Sequence, residues 1–179
     1  MGHKTGFYED VNKGLSLTKQ IVHRFNILSR NQYNERIIAS LKNDGSTLIM
    51  TDTKTGKEIL VDPKPRESLK KHDSGGFLLK TRDSNMDKQE RIEWAKDRFV
   101  WPVIIKDNEK PTMYNIASVK DLMAKNHVNF NILTSNPTAI SISLAECRPI
   151  NSWYGGDDGF AMIKVPDVVQ AFINIFENL

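Results

Sequence analysis

Three short apolar segments separated by two tight-turn signals constrain the fold of this chain more than any other feature. The segments are residues 36–42, 47–51 and 58–61. The turn signals between them are Asn43-Asp44-Gly45-Ser46 and Lys54-Thr55-Gly56. Glycine in such turns supplies the positive φ that a tight hairpin requires. The sequence therefore predicts three consecutive antiparallel strands, although a helix over 31–41 is the alternative for the first segment.

Amphipathic patterns at both ends of the chain predict helices. Near the N-terminus, Ser16 is a predicted N-cap for a helix that runs to about Arg30. Near the C-terminus, Pro166 suits the first turn of another helix. The apolar positions of that helix are Val165, Val168, Val169, Phe172, Ile173 and Phe176. This apolar stripe must pack against another surface, most simply the chain's own sheet.

The middle of the chain alternates strand and helix signals. Ser84 and Ser118 are each followed three residues later by an aspartate, which predicts two more helices. Further strands are predicted at 77–80, 101–105, 128–133 and 138–144. A chain of 179 residues fits one domain. We therefore expect a single α+β domain over 16–179, with a largely antiparallel or mixed sheet and about four helices packed on it, after a flexible N-terminus at 1–15.

The cellular setting follows from what the sequence lacks. The first residues contain no apolar core of signal-peptide length, and no apolar run reaches the roughly 20 residues needed to cross a bilayer. Cys147 is the only cysteine, so no internal disulfide can form, and this thiol is predicted to pack as a small side chain. These observations favour a cytoplasmic protein with no membrane partner, and they leave its oligomeric state open.

Positive charge is concentrated in the first half of the chain. Residues 1–90 contain 16 Lys and Arg against 12 Asp and Glu, whereas residues 91–179 contain 9 against 10. Four of these cations fall in a proline-interrupted segment, 62–76, which is predicted to be an exposed basic loop. Its cations are Lys64, Arg66, Lys70 and Lys71. Such a loop favours binding to the phosphates of a nucleic acid.

A second candidate surface is the aromatic-glycine loop at residues 152–160. Trp153 and Tyr154 offer large contact areas to a base or to a protein partner. Asp157 and Asp158 are adjacent carboxylates that would be ligands for a divalent cation. The alternative is a simple hairpin in which Asp158 and Gly159 form the turn.

One enzymatic pattern is present. Asp44 is followed by Asp52-Thr53-Lys54, which resembles the D…(D/E)-x-K arrangement of the PD-(D/E)xK nucleases. The resemblance implies two carboxylates on neighbouring strands that hold Mg²⁺ and a lysine that orients or activates the attacking water. The opposing interpretation is that these are solvated turn residues. The common phosphate-loop, dinucleotide, zinc-protease and serine-hydrolase motifs are absent from the sequence.

The sequence supports three hypotheses for function. The leading one is a binding protein without catalytic activity or cofactor, which contacts nucleic acid or a nucleic-acid-handling protein through the basic loop and the aromatic-glycine loop. The second is a Mg²⁺-dependent nuclease that uses Asp44, Asp52 and Lys54. The third is an inhibitor or adaptor that binds protein only.

Overall fold

The computed structural model describes residues 2–66, 76–80, 85–104, 112–113, 116–124, 128–129, 139–143 and 167–179. These residues form four helices, a mixed sheet and a smaller antiparallel sheet, which confirms the α+β prediction. The helices are α1 (Gly2–Tyr33), α2 (Lys88–Lys96), α3 (Val119–Ala124) and α4 (Val168–Glu177). The strands are β1 (Ile37–Leu41), β2 (Leu48–Asp52), β3 (Glu58–Arg66), β4 (Gly76–Lys80), β5 (Arg98–Ile104), β6 (Thr112–Met113), β7 (Ala117–Ser118), β8 (Val128–Asn129) and β9 (Ala139–Ser143).

The first helix is longer than the sequence predicts. It begins at Gly2 rather than at Ser16, so the segment predicted to be a flexible N-terminus is helical. Gly6 and Gly14 each cost about 1 kcal/mol in a helix interior, but neither blocks the backbone hydrogen bonds as a proline would. The helix ends at Tyr33, beyond which Asn34 and Glu35 adopt positive φ angles of 52° and 58°.

The predicted meander is confirmed. β1 and β2 pair antiparallel, and so do β2 and β3, with Gly45 and Gly56 at φ values of 76° and 75° in the connecting turns. The alternative helix over 31–41 is wrong for Ile37–Leu41. The alternating burial of that segment, with Ile37 and Ala39 buried and Ile38 exposed, has the period of a strand.

The loop predicted at 62–76 is corrected at its start, because residues 62–66 belong to β3, whereas residues 67–75 lie outside the described residues. Pairing with β2 ends at Val61, while residues Leu60 to Arg66 pair in parallel with β5. From Asp62 onward β3 therefore has one neighbouring strand, β5, among the described residues. Pro63 and Pro65 occupy alternate positions, so their missing N–H groups can face away from β5.

One face of the mixed sheet carries the main hydrophobic core, which α1 and α4 cover. Trp101 of β5 lies at its centre, fully buried, and meets Phe25 of α1 and Phe172 of α4 in edge-to-face contacts with ring centroids 6.0 and 5.3 Å away. The apolar stripe of α4 is buried here as predicted, and its members are Val168, Val169, Phe172, Ile173 and Phe176. The docking of the final helix on the chain's own sheet is thus confirmed.

The outer edge of β1 is closed by side chains of α1. Asn26 Nδ2 donates to the Ala39 carbonyl, and Asn26 Oδ1 accepts from the Ala39 N–H, both at 2.8 Å. Ser29 Oγ donates to the Ile37 carbonyl at 2.6 Å. These bonds occupy backbone groups that an edge strand otherwise offers to another chain. They also fix the position of α1 relative to the sheet.

The opposite face of the mixed sheet is covered differently. Val100 of β5 and Val119 and Leu122 of α3 are buried, and α3 contacts β5 and α2. The smaller sheet, in the order β4-β9-β8, contacts α3 through β8 and β9. This second face of the mixed sheet contains buried polar residues, which makes it the candidate location of a functional site.

Candidate functional site

Three buried polar residues meet on the second face of the sheet. Thr47, Asp62 and Arg98 are 2%, 6% and 5% exposed. The β2–β3 register, in which Leu48 pairs with Val61, places Thr47 beside Asp62. Arg98 begins β5, which lies parallel to β3 on its other side. Charged residues are rarely this buried unless they are paired, so the group demands an explanation.

The Thr47 hydroxyl lies between two carboxylates. Its Oγ1 is 2.7 Å from Asp44 Oδ2 and 3.3 Å from Asp62 Oδ1. Asp44 Oδ1 also accepts from the N–H groups of Ser46 and Thr47, each at 2.9 Å. These bonds orient the Asp44 side chain at the β1–β2 turn toward the start of β2. One hydroxyl has one proton, so it cannot donate to both carboxylates at once.

Arg98 supplies the positive charge that partly balances these carboxylates. Its Nη1 donates to Asp62 Oδ2 and Thr47 Oγ1, each at 3.3 Å, which is long for a charged hydrogen bond. The guanidinium carbon lies 3.9 Å from the centre of the Trp94 ring, a cation–π contact from α2. Its Nε is buried and has no hydrogen-bond partner among the described residues. Arg98 is thus held by packing as much as by Asp62.

Lys64 is on the same face of β3 as Asp62, because residues two apart on a strand share a face. Lys64 is half-buried and takes part in an interaction within the protein. We call Asp44, Thr47, Asp62, Lys64 and Arg98 the carboxylate cluster. Asp44, Asp62 and Arg98 contact the Thr47 hydroxyl, and Lys64 belongs to the cluster by its position two residues after Asp62 on β3.

The oxygen atoms of the carboxylate cluster suit a hard cation. Mg²⁺ prefers oxygen ligands, and it is usually held by one or two carboxylates together with waters and substrate phosphates. Asp44 and Asp62 provide those carboxylates within reach of one hydroxyl. No group of three or more His, Cys, Asp or Glu side chains suited to a metal ion occurs among the described residues. A dedicated protein cage is therefore absent from that part of the chain, and a Mg²⁺ held by Asp44 and Asp62 would need waters or a substrate as its other ligands.

The arrangement predicted from Asp44, Asp52 and Lys54 does not form. Asp44 lies at the turn before Leu48, whereas Asp52 ends β2, so the length of the strand separates them. Asp52 is buried and accepts from Arg36 Nε at 2.8 Å. Its Oδ1 also accepts from the backbone N–H of Lys54 at 3.0 Å, and the Lys54 side chain is exposed. Asp52 is thus a turn-stabilising residue, and the predicted metal pair is corrected.

The ion pair of Asp52 predicts a loss of stability in acid. The Arg36 guanidinium lowers the pKa of Asp52 to about 2 from its ordinary value, and the bonds from Lys54 and Thr55 act in the same direction. A carboxyl group whose pKa is lowered by folding stabilises the folded state. This contribution is complete when the pH is above the pKa of the unfolded chain, about 4, and is lost as the pH falls through the folded-state pKa of about 2. We expect Asp52→Asn to remove about 2 kcal/mol of unfolding free energy at neutral pH and nearly nothing at pH ~2.

The measurement is urea unfolding of both proteins across that pH range. Glu58→Gln, which changes an exposed carboxylate of β3, is the matched control and should leave the curve unaltered. A constant difference between wild type and Asp52→Asn at every pH would contradict the assigned role of this ion pair.

The remaining predicted residues divide into two groups. Lys64 and Arg66 both belong to β3, where Lys64 is half-buried. Lys70 and Lys71 of the basic loop, together with Trp153, Tyr154, Asp157, Asp158 and Cys147, lie outside the described residues. Their predicted contacts with nucleic acid, protein or metal stay predictions.

Sequence reasoning missed Asp62, Thr47 and Arg98. A signal for Asp62 was present, because the apolar run Ile59-Leu60-Val61 is followed directly by Asp62-Pro63-Lys64, which is itself a D-x-K triplet. The two prolines of this segment indicated a loop, so Asp62 was not recognised as a strand residue. No signal in the sequence brings Arg98 to this place, because its position depends on the parallel pairing of β3 with β5.

None of the helices in the described part of the chain is long and apolar enough to cross a membrane. Comparison of the chain with protein-family models, with curated proteins and with solved structures found no match.

Proposed function

We propose that this protein is a metal-dependent nuclease whose active site is the carboxylate cluster. One observation carries the proposal: Asp44 and Asp62 face the same Thr47 hydroxyl, and Lys64 follows Asp62 on the same face of β3. Asp62-Pro63-Lys64 is a second D-x-K triplet, different from the Asp52-Thr53-Lys54 that the sequence analysis singled out. The second triplet lies on β3, and its aspartate shares the Thr47 hydroxyl with Asp44.

Asp44 and Asp62 are the residues that would hold the metal. A bound Mg²⁺ would polarise the scissile phosphate and make a bound water more acidic. The two carboxylates would fix the position of the metal ion, and the Thr47 hydroxyl holds the carboxylates in place. In the described structure Arg98 balances Asp62, so metal binding must compete with two contacts that are 3.3 and 3.5 Å long. Contacts of that length are weaker than a short bidentate pair.

Lys64 and Arg98 then provide the positive charge that a phosphodiester requires. Lys64, next to the metal carboxylate, orients the attacking water or neutralises charge that develops on the phosphate. Arg98 remains nearby on the Trp94 ring and can donate to a phosphate oxygen once Asp62 is bound to metal. The chemistry needs no cysteine and no histidine.

The proposal is tested by incubating the protein with plasmid DNA and with an RNA transcript, in Mg²⁺ and in chelator. We expect cleavage in Mg²⁺ only. Lys64→Met should lower the cleavage rate by about a hundredfold or more, because it removes the group that assists the water. Lys57→Met, which removes an exposed lysine from the β2–β3 turn, is the matched control and should cleave like wild type.

A second candidate is the binding protein without catalysis. It is favoured by Lys64, a half-buried cation of β3 that comes a few residues before Lys70 and Lys71 in the chain. Salt-dependent binding to DNA or RNA, with no cleavage in Mg²⁺, would select this candidate over the nuclease. If the protein neither binds nor cleaves nucleic acid, the inhibitor or adaptor hypothesis remains.

A further inference from the structure

A groove lies on the solvent side of α1, next to the end of β1. Its volume is about 340 Å³. Its rim carries Lys19, His23 and Arg30, and its apolar lining consists of Val22, Ile27 and Leu41. Asn26 also lines it, with its amide engaged by Ala39 as described above. The groove is small but within the range of sites that accept one or two side chains.

The charged side chains that line the groove, Lys19 and Arg30, are positive. Between Leu17 and Tyr33, α1 contains no aspartate or glutamate, whereas Lys19, Arg24 and Arg30 are exposed. Arg30 pairs with Glu35 at 3.0 Å, but the two side chains are 69% and 51% exposed. Such a surface pair contributes little and can exchange for another carboxylate. A partner of negative charge is therefore favoured.

The apolar lining distinguishes one kind of anion from another. Ile27 is 42% exposed and lies with Val22 and Leu41 in one apolar lining. Among the described residues that line the groove there is no aromatic side chain on which a nucleic-acid base could stack. A phosphate backbone would leave the aliphatic lining uncovered. An acidic peptide with an apolar side chain would satisfy both the rim and the lining.

We propose that the α1 groove docks an acidic peptide segment of a protein partner, with one apolar side chain of that segment against Ile27, Val22 and Leu41. Carboxylates of the segment then meet Lys19 and Arg30 at the rim. This site is on the face of the sheet that α1 covers, opposite the carboxylate cluster. The proposal therefore stands or fails independently of the nuclease.

The test uses a fluorescein-labelled peptide of glutamates with leucines spaced one helical turn apart, and measures its binding by anisotropy. We expect Ile27→Ser and Lys19→Glu each to weaken binding by about tenfold, since each removes one contact of the groove. Arg24→Glu changes the same charge on the same helix outside the groove and should have less effect. Thermal unfolding confirms that each variant is folded.

Three further outcomes overturn the proposal. Equal binding of a peptide in which serines replace the leucines would show that the apolar lining is not used. An equal loss in Arg24→Glu and Lys19→Glu would show attraction to charge alone. Binding of a labelled single-stranded DNA that depends on Lys19, with no binding of the peptide, would assign the surface to nucleic acid instead.

Discussion

Replacing Arg98 with methionine is expected to lower the unfolding free energy by about 3–5 kcal/mol. The reason is Asp62, which is 6% exposed and has Arg98 as its charged partner among the described residues. A buried carboxylate that loses its counter-charge must take up a proton or remain charged in a poor environment. Methionine retains much of the arginine stem but lacks the guanidinium that lies over Trp94, so the cation–π contact is lost as well.

The measurement is urea unfolding at neutral pH, with Arg24→Met as the matched control, because Arg24 is an exposed arginine of α1. The double variant Asp62→Asn with Arg98→Met should be more stable than Arg98→Met alone. If the cluster holds a metal ion, Mg²⁺ should restore part of the lost stability of Arg98→Met, since the ion then replaces the guanidinium. Equal unfolding free energies of Arg98→Met and Arg24→Met would contradict this account of the buried pair.

Trp101→Ala is expected to cost about 3–5 kcal/mol, because it removes the side chain at the centre of the core and leaves a cavity. Phe25 and Phe172 each lose their edge-to-face contact with the indole as well. Trp101→Phe should cost far less, about 1.5 kcal/mol or below. The indole Nε1 is buried without a hydrogen-bond partner among the described residues, so phenylalanine gives up no hydrogen bond there.

Both Trp101 variants can be measured by thermal and urea unfolding. The matched comparison is Trp94→Phe on α2, whose ring is only half-buried and contacts Arg98. A cost for Trp101→Phe as large as that for Trp101→Ala would show that the indole nitrogen has a role that these contacts do not reveal.

Local sequence signals predicted most elements of this fold. The Asp44-Gly45 and Thr55-Gly56 turns fixed the meander, because each demands a positive φ at one position. Helices α2 and α4 were predicted from Ser84 and Pro166, but their N-caps are Asp87 and Asp167, which accept from backbone N–H groups three residues later. The apolar period of α4 predicted its docking. Each of these signals lies within a few residues of its structural consequence.

The errors came from pairings that are distant in the chain. β3 continues through Pro63 and Pro65 because it pairs in parallel with β5. Local sequence does not reveal this pairing, since β5 lies more than thirty residues later in the chain. The carboxylate cluster depends on that pairing, since Arg98 meets Asp62 only there. Asp52 was misjudged for a related reason: its partner Arg36 is placed by the β1–β2 register and not by local sequence. Spacing along the chain could not distinguish Asp52-Thr53-Lys54 from Asp62-Pro63-Lys64.

The most direct test of the central claim is plasmid cleavage in Mg²⁺ by Asp62→Asn and by Asp52→Asn. The two substitutions remove the same charge from the two D-x-K triplets. We predict that Asp62→Asn lowers the cleavage rate by about a thousandfold or more, because several kcal/mol of metal-assisted stabilisation is lost. Asp44→Asn, at a half-buried position, should lower the cleavage rate similarly. Unlike Asp62→Asn, it leaves the ion pair between Arg98 and Asp62 in place. Asp52→Asn should retain the wild-type rate, and wild-type cleavage by Asp62→Asn and Asp44→Asn would contradict the claim.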